Sequence, residues 1–286
     1  MAQSLSIGQT MPDKAIVSAG AMKTCVSAVS VSVCMATFNG EAYVLQQVVS
    51  ILEQLQPTDE LIVVDDCSTD ETVEIIRQIG DPRISIHVND SNQREVRSFG
   101  RAISLARNDI VFLSDQDDVW VAGRLRFMTQ RLIESGADVL CSNFTWTDAA
   151  GNSLDVKFDG VSASHSTRHL QNIFDIFIGK TNYFGCAMAF RCTFVPVIMP
   201  IPAFVESQDL WIALASNLAR SNVHIDEDTL LKRQHGRNAT STVSKRPLHR
   251  KLWSRAIFGL SLVVLRVRLQ RFSLRKQAVS RGGVLS

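Results

Sequence analysis

The sequence predicts an α/β protein with a mostly parallel β-sheet flanked by helices, followed by a basic helical tail. Short apolar, β-branched runs alternate with segments in which apolar residues recur every three or four positions. The alternation repeats about every 25 residues, which is typical of strands joined by helical crossovers. Polar clusters directly follow three of the apolar runs. Because such folds bind ligands beyond the carboxyl ends of their strands, these clusters predict the functional site.

The first half of the chain contains four predicted strands in unbroken alternation with helices. The strands are predicted over Val31–Ala36, Leu61–Val64, Ile84–Val88 and Ile110–Leu113. The helices between them are predicted over Glu41–Leu55, Glu71–Ile79 and Val96–Ala106. Ser68 or Asp70 is expected to cap the second of these helices.

The second half is less regular, but the same patterns predict further elements. These are a helix over Arg124–Glu134, a strand over Asp138–Ser142, a helix over His169–Ile178, a strand over Gly185–Arg191, a helix over Ser207–Leu218 and a strand over Leu230–Arg233. We expect one domain over residues 30–240. Residues 1–29 are expected to form a poorly ordered extension, and residues 241–286 a basic amphipathic helical tail.

Charge is divided unevenly along the chain, although the formal net charge is only +2. The last acidic residue is Asp228, and lysine and arginine are dense from Lys232 to Arg281. Apolar and basic side chains mix over residues 245–276, which fits an anionic membrane surface, packing on the main domain or nucleic acid. We favour the membrane surface and expect no nucleic-acid partner.

Several classes of protein lose support at this stage. Walker A, GxGxxG and Ser/His/Asp patterns are missing from the sequence, which disfavours P-loop, dinucleotide-binding and serine hydrolase sites. No basic leader and no apolar run of about 18 residues occurs. We therefore expect a cytoplasmic protein, with the tail as the candidate for peripheral contact with the inner face of the cell membrane.

The run Ser114-Asp115-Gln116-Asp117-Asp118 follows the fourth predicted strand. Three carboxylates so close together repel one another unless a cation neutralises them. Mg²⁺ or Mn²⁺, held by one or two carboxylates and by substrate phosphates, would do so. The alternative is an acidic turn that caps the next helix, a role that suits Asp118 in particular.

Three further polar residues have both a structural and a chemical interpretation. Asp66 ends the second strand, where it could bind a nucleoside or cap a helix. Asp209 opens a helix, where it could be favoured by the helix dipole or act as a general base. His235 could be an ordinary surface or core residue, or a contact to metal or phosphate.

Taken together, these residues resemble the inverting family-2 glycosyltransferases of the GT-A fold, with the bacterial rhamnosyltransferase-like enzymes as the nearest subgroup. The resemblance covers about residues 30–240 and depends on six ordered pieces. They are VSVCMATFNGEAYV (31–44), ELIVVDDCSTDETVEII (60–76), DIVFLSDQDDVW (109–120), FGCAMAFR (184–191), SQDLWIAL (207–214) and RQHGRN (233–238).

The resemblance implies a role for each matching position. On the donor side, Thr37, Asn39 and Glu41 would meet the nucleotide, Asp66 would lie near the base, and Asp115 and Gln116 would face the nucleotide. Asp117 would contact the metal and His235 would lie near metal and diphosphate. On the acceptor side, Asp209 would be the catalytic base, and Gly185 and Cys186 would line the site.

One loop departs from the family pattern. The loop after the third strand usually carries a glycine and then an asparagine before phenylalanine, but Arg94 and Ser98 stand in those places. Phosphate or ribose contacts from this loop are therefore in doubt. An alternative is that Arg94 or Arg97 reaches the diphosphate.

The resemblance implies a metal-dependent enzyme that transfers a sugar, with rhamnose favoured, from a dTDP- or UDP-linked donor. The acceptor would be a saccharide or lipid-linked saccharide of a surface polysaccharide. Two alternatives stay open. A sugar nucleotidyltransferase would need a basic residue in its phosphate loop, which Thr37-Phe38-Asn39-Gly40 lacks. A non-catalytic assembly protein would bind sugar nucleotides without turnover.

Overall fold

The structure is a computed structural model that describes residues 29–156, 160–180, 183–234 and 248–282, with side chains of the last helix over residues 253–274. Eight strands form one sheet in the order β3-β2-β1-β4-β7-β6-β8-β5. The strands are β1 Val31–Thr37, β2 Glu60–Asp65, β3 Ile84–Val88, β4 Ile110–Ser114, β5 Val119–Trp120, β6 Val139–Thr147, β7 Met188–Arg191 and β8 Asn222–Arg233.

Helices cover both faces of this sheet. They are α1 Val44–Leu52, α2 Thr72–Ile79, α3 Glu95–Leu105, α4 Arg124–Ser135, α5 His169–Ile178, α6 Val195–Ile198, α7 Gln208–Leu218 and α8 Leu248–Gly282. Alternating side chains of β1 serve two cores: Val33 and Met35 pack with α1 and α4, and Cys34 packs with α3 and α7. The two-sided burial explains why the strands are continuous apolar runs.

The parallel part of the sheet brings the predicted polar clusters to one edge. Strand β1 pairs in parallel with β2 and β4, and β2 pairs in parallel with β3. In this register Thr37 lies opposite Asp65, and Met35 lies opposite Ser114. The predicted fold class is therefore confirmed, with β7 antiparallel to both β4 and β6.

Two strands are longer than the sequence predicted, and one was missed. Strand β8 begins at Asn222 instead of Leu230, and β6 extends to Thr147 instead of Ser142. The two strands pair with each other through register shifts, which disrupt the alternation that would have revealed them. Strand β5 has only two residues, too few for any periodic pattern.

Helix boundaries show smaller differences. Helix α1 begins at Val44, three residues later than predicted. Of the two predicted caps for α2, Asp70 accepts a hydrogen bond from the backbone N–H of Thr72 at 3.0 Å. Ser68 instead donates to Asp65 at the end of β2, at 2.5 Å. The N-cap of α2 is Glu71, which makes no side-chain cap, so Asp70 binds the first helical residue from just outside the cap position and neither predicted residue is the cap itself.

The last helix, α8, runs for 35 residues and packs one face against the domain. Leu265 is fully buried among residues of the second core, and Arg268 donates to the carbonyls of Val197 and Pro200. Packing on the main domain, one of the three roles considered for the tail, is therefore present on this face.

Among the described residues, no helix combines the length and apolarity needed to cross a bilayer. The domain boundary predicted near residues 240–244 lies outside the described residues.

Candidate active site

The loop after β1 and the acidic run after β4 are joined by one side chain. The Gln116 amide accepts from the backbone N–H of Phe38 at 2.9 Å and donates to the Phe38 carbonyl at 3.0 Å. A β-carbon on Gly40 would overlap the Gln116 amide, so this approach needs glycine at position 40. Gln116 therefore sets the position of the β1–α1 loop.

The β1–α1 loop is also bound to the loop after β2. Thr37 is buried and donates its hydroxyl to Asp65 at 2.8 Å. The Asn39 side-chain carbonyl accepts from the backbone N–H of Thr69 at 2.8 Å. A Glu41 carboxylate oxygen accepts from the backbone N–H of Glu71 at 3.2 Å. The structure thus brings together Thr37, Asn39 and Glu41, the three residues predicted on the first loop, and assigns their side chains loop-shaping contacts.

Asp66 organises the loop after β3. Its carboxylate accepts from Asn89 Nδ2 at 2.8 Å, from the backbone N–H of Gln93 at 2.7 Å and from the backbone N–H of Arg94 at 2.8 Å. Ser98 is buried and its hydroxyl accepts from the same Asn89 amide at 3.0 Å. The two departures from the family pattern, Arg94 and Ser98, therefore belong to a hydrogen-bonded unit around Asp66.

Lys232 is the penultimate residue of β8, and its side chain reaches the carboxylates of the acidic run. Its ammonium is 3.0 Å from Asp115 Oδ2, 3.6 Å from Asp118 Oδ2 and 3.4 Å from Cys186 Sγ. Burial alone would lower the pKa of Lys232, but the neighbouring Asp118 and Asp115 hold it well above its usual value. Lys232 was not predicted as a site residue, because nothing in the sequence places a lysine of β8 beside a loop more than a hundred positions earlier.

Asp118 accepts a hydrogen bond from the backbone of β8 and does not cap α4, the next helix. Its Oδ1 accepts from the backbone N–H of Arg233 at 3.1 Å, while α4 begins after Gly123 without a side-chain cap. The capping role considered for Asp118 is therefore wrong. Complete burial raises the pKa of Asp118 to about 7, although Lys232 beside it acts in the opposite direction.

The acidic run offers atoms that could hold a cation. Asp115, Asp118 and Cys186 each place one potential ligand atom within 4.8 Å of the others. Hard divalent ions prefer oxygen ligands, so a buried thiol and a lysine ammonium are poor neighbours for Mg²⁺ or Mn²⁺. The carboxylate of Asp115 is 29% exposed and meets Lys232 through one oxygen only, so its other oxygen can still serve a cation. His235, predicted near the metal, lies outside the described residues.

Asp209 lies in the first turn of α7, where Ser207 supplies the cap by accepting from the backbone N–H of Leu210 at 3.2 Å. The Asp209 carboxylate is therefore not needed as the cap. Its Oδ1 is shielded from solvent and makes no hydrogen bond to any described residue. Burial raises the pKa of Asp209 to about 8, with Glu95 and Asp115 adding to the shift. A carboxylate with a pKa near neutrality is suited to general base catalysis.

Aromatic rings flank this site on the β6 side. Phe184 lies 5.6 Å from the Lys232 ammonium and meets Phe144 and Trp146 at ring-centroid distances of 5.0 and 6.4 Å. Next to the rings is a cavity of about 290 Å³ that is also lined by Asn143 and other residues of β6. Cys186 is buried, with its thiol turned toward Lys232.

The comparisons with known sequences agree on a family. A model described as "Glycosyl transferase family 2" matches residues 32–195. The succinoglycan biosynthesis protein ExoO of Rhizobium meliloti is 32% identical over 124 residues, which are 43% of this chain and 36% of ExoO. The dTDP-rhamnosyl transferase RfbG of Shigella flexneri is 32% identical over 121 residues, which are 38% of this chain and 40% of RfbG. The chain thus spans half or less of the length of these curated relatives.

Solved structures agree on the fold. The S. aureus TarS structure (residues 1–349) in complex with UDP-GlcNAc has a TM-score of 0.60 at 18% identity. The similarity covers 84% of this chain and 72% of the TarS chain. At this level of identity the likeness concerns the fold, which is a mixed sheet with flanking helices.

Proposed function

This chain belongs to glycosyl transferase family 2, and we propose that it transfers a sugar from a nucleoside diphosphate sugar to a saccharide acceptor with inversion. The observation that carries the proposal is that Gly185 lies against the Asp209 carboxylate, while the next residue, Cys186, lies in the cluster with Asp115 and Asp118. The carboxyls lie close enough for Asp115 to raise the pKa of Asp209. A buried carboxyl near an acidic run suits a reaction that needs both a base and an anchor for a charged donor.

We propose a single in-line displacement at the anomeric carbon. Asp209 accepts the proton of the acceptor hydroxyl as that oxygen bonds to the anomeric carbon. The bond between the anomeric carbon and the phosphate oxygen breaks, and the nucleoside diphosphate leaves with that electron pair. Asp117, with the second oxygen of Asp115, would hold Mg²⁺ or Mn²⁺, and His235 is proposed to assist. When bound, that ion neutralises negative charge on the departing diphosphate.

The donor side is proposed to consist of the connected loops after β1, β2 and β4. Thr37, Asn39 and Glu41 would position the loop that meets the nucleotide, and Gln116 would hold that loop against the acidic run. A carboxylate can accept about four hydrogen bonds. Asp66 accepts three from the residues that the structure describes, so we propose that it retains capacity for a donor group of the base or ribose.

The sugar and the acceptor are proposed from the relatives. Similarity to a dTDP-rhamnosyl transferase favours dTDP-rhamnose. A relative named for transfer from UDP-Glc to a GlcNAc-diphosphoundecaprenol, 25% identical, supports UDP-sugars and a lipid-linked saccharide acceptor as the alternative. Names of other relatives refer to succinoglycan and teichuronic acid biosynthesis, so surface polysaccharide synthesis is the proposed setting.

We propose that the outer face of α8 contacts an anionic membrane surface. The exposed apolar residues of α8 recur at spacings of three, four and seven residues, and therefore share one face of the helix. They are Trp253, Leu260, Val263, Val267 and Leu274. The opposite face of α8 carries Phe258, which packs against the second core and meets Phe177 of α5 at a ring-centroid distance of 5.3 Å. No acidic residue occurs in α8, and Arg255 and Arg271 lie exposed on it, so the charge suits anionic lipid.

Thermal unfolding with nucleotides tests the donor assignment. Ligands that bind the folded state raise its free energy of unfolding, and the increase grows with the logarithm of ligand concentration over Kd. We expect dTDP or UDP to raise the melting temperature, and to raise it further with Mn²⁺ than with EDTA. Absence of a metal-dependent shift with every nucleoside diphosphate would contradict the proposed donor site. Asp117→Asn should remove the metal-dependent part of the shift.

A further inference from the structure

Lys232 occupies the space between three atoms that could otherwise bind a cation. Its ammonium lies 3.0 Å from Asp115 Oδ2, 3.6 Å from Asp118 Oδ2 and 3.4 Å from Cys186 Sγ. The same three residues place their ligand atoms within 4.8 Å of one another. Only 8% of the Lys232 side chain is exposed, so the ammonium lies in the interior of the protein among these three atoms.

The strand and an aromatic ring hold Lys232 in this position. Strand β8 pairs Lys232 with Trp146 on β6, and the next residue donates its backbone N–H to Asp118 at 3.1 Å. The ring of Phe184 lies 5.6 Å from the ammonium, within the range of a cation–π contact. The backbone, the ring and two carboxylates therefore fix the charge where a metal would have to bind.

A divalent ion cannot enter the cluster while the ammonium is there. Protein oxygen and sulfur ligands bind divalent ions at roughly 2.0–2.6 Å, which would bring the ion into the volume that the ammonium fills. Two like charges at such separation in a buried site also repel each other strongly. Charge balance also disfavours a divalent ion in the cluster. The positive charge of Lys232 already compensates one of the two neighbouring carboxylates, Asp115 and Asp118.

We propose that Lys232 is an internal counter-ion that excludes divalent cations from the cluster of Asp115, Asp118 and Cys186. Lys232 acts as a positioning residue: it fixes Asp115 through one carboxylate oxygen, Oδ2, and does not use the other. The ion that accompanies the donor diphosphate is thereby directed to the outer side of the acidic run. This last step rests on the proposed function, whereas exclusion from the inner cluster does not.

A cobalt titration of the full chain without nucleotide tests the exclusion. Co²⁺ bound to a thiolate gives an intense near-ultraviolet charge-transfer band, which reports binding to Cys186 directly. We expect no such band from Cys186 in the wild type. Lys232→Met should acquire the band and bind Co²⁺ at least about tenfold more tightly, since removing one charge exposes two carboxylates and a thiol. Adding Cys186→Ser to the variant should abolish the band.

Two variants guard against misinterpretation. Lys180→Met removes an exposed lysine outside the cluster and should leave cobalt binding unchanged. If Lys232→Met does not fold, as judged by circular dichroism, Lys232→Gln replaces it, because the glutamine amide is neutral but can still donate hydrogen bonds in a polar cluster. A Cys186-dependent band in the wild type, or equal cobalt affinity of the wild type and a folded Lys232 variant, would overturn the proposal.

Nucleotide binding by the same proteins separates this proposal from the proposed function. If the wild type shows no shift with dTDP or UDP, the donor assignment fails while a gained cobalt site in Lys232→Met still supports the exclusion. If nucleotides bind and the variant gains no site, the exclusion fails alone. Where both hold, we expect Lys232→Met to change the Mn²⁺ dependence of the nucleotide shift, which Lys180→Met should not.

Discussion

Gly185 lies directly against the carboxylate of Asp209: a β-carbon at position 185 would overlap Asp209 Oδ1 and lie 3.1 Å from its Cγ. The two residues are far apart in sequence, one in the turn before β7 and the other in the first turn of α7. The contact limits where the carboxylate can sit. A glycine at position 185 is therefore part of the geometry of the proposed base.

Replacing this glycine should therefore displace the base. Gly185→Ala should lower kcat by about 100-fold, because a misplacement of about 1 Å can cost that much in an oriented reaction. The measurement is steady-state transfer to acceptor at saturating donor. Gly259→Ala in α8 is the control, since a β-carbon there meets nothing within 4 Å. Equal activity of both variants would contradict the proposed position of the base.

Removing the charge of Asp209 should abolish transfer but spare the donor site. Asp209→Asn should reduce kcat by about 10²–10⁴-fold, which is typical for the loss of a general base. Nucleotide affinity, measured by calorimetry, should change by less than about threefold because Asp209 lies on the acceptor side of the proposed site. Glu53→Gln, at an exposed carboxyl after α1, should behave as the wild type. Retained transfer by Asp209→Asn would exclude the residue as base.

The same substitution should stabilise the fold at alkaline pH. Burial raises the folded-state pKa of Asp209 to about 8, above the unfolded value near 3.8. Between these values the folded state binds more protons than the unfolded one, so this group's contribution to stability is lost as pH rises. Asparagine stays neutral, so Asp209→Asn should melt at least about 2 °C higher than the wild type at pH 8.5. Calorimetry at pH 4.5 should show the difference shrinking toward zero.

The pH dependence of the reaction should reflect the same carboxyl. Only the ionised form of Asp209 can accept a proton, so kcat/KM should rise with pH and level off above an apparent pKa of about 8. The profile of kcat/KM from pH 5.5 to 9.5 measures this. A flat profile between pH 6 and 9 would show that another group, or none, limits the reaction.

Gln116 should affect donor binding more than chemistry. Gln116→Leu removes both hydrogen bonds to the Phe38 backbone, each worth about 1 kcal/mol. The loosened β1–α1 loop should raise the donor KM by about tenfold, with a smaller effect on kcat. Gln78→Leu, on the exposed side of α2, is the matched control. An unchanged KM would show that the loop does not depend on Gln116 for donor binding.

The outer face of α8 should bind anionic vesicles. Replacing Trp253, Leu260 and Val263 with serine should weaken co-sedimentation with phosphatidylglycerol vesicles by at least about tenfold, because each change removes apolar area available for insertion. Serine at Leu45, Val49 and Val88, which are exposed elsewhere, should have little effect. High salt and phosphatidylcholine vesicles should both reduce wild-type binding. Vesicle binding that survives the α8 changes would exclude this surface.

Much of the fold was predictable because it depends on local patterns. The first four strands and three helices were placed within a few residues, since buried parallel strands and amphipathic helices leave clear periodicities. Strands β6 and β8 were shortened in the prediction because their pairing contains register shifts, and β5 was missed because it has two residues. Pairing partners, not local sequence, decide where such strands end.

The sequence by itself determined which residues gather at one edge of the sheet. Asp66 follows β2 and Asp115 follows β4, two strands that lie parallel on either side of β1, so both residues stand at the carboxyl-end edge of the sheet. Only the tertiary structure decided what their charges meet. Lys232 reaches Asp115 from a strand paired elsewhere in the sheet, and Gly185 admits the Asp209 carboxylate from a separate turn. The reason is physical: a pattern of polarity records burial along one chain segment, whereas ion pairs and close contacts depend on distances between segments that only packing sets.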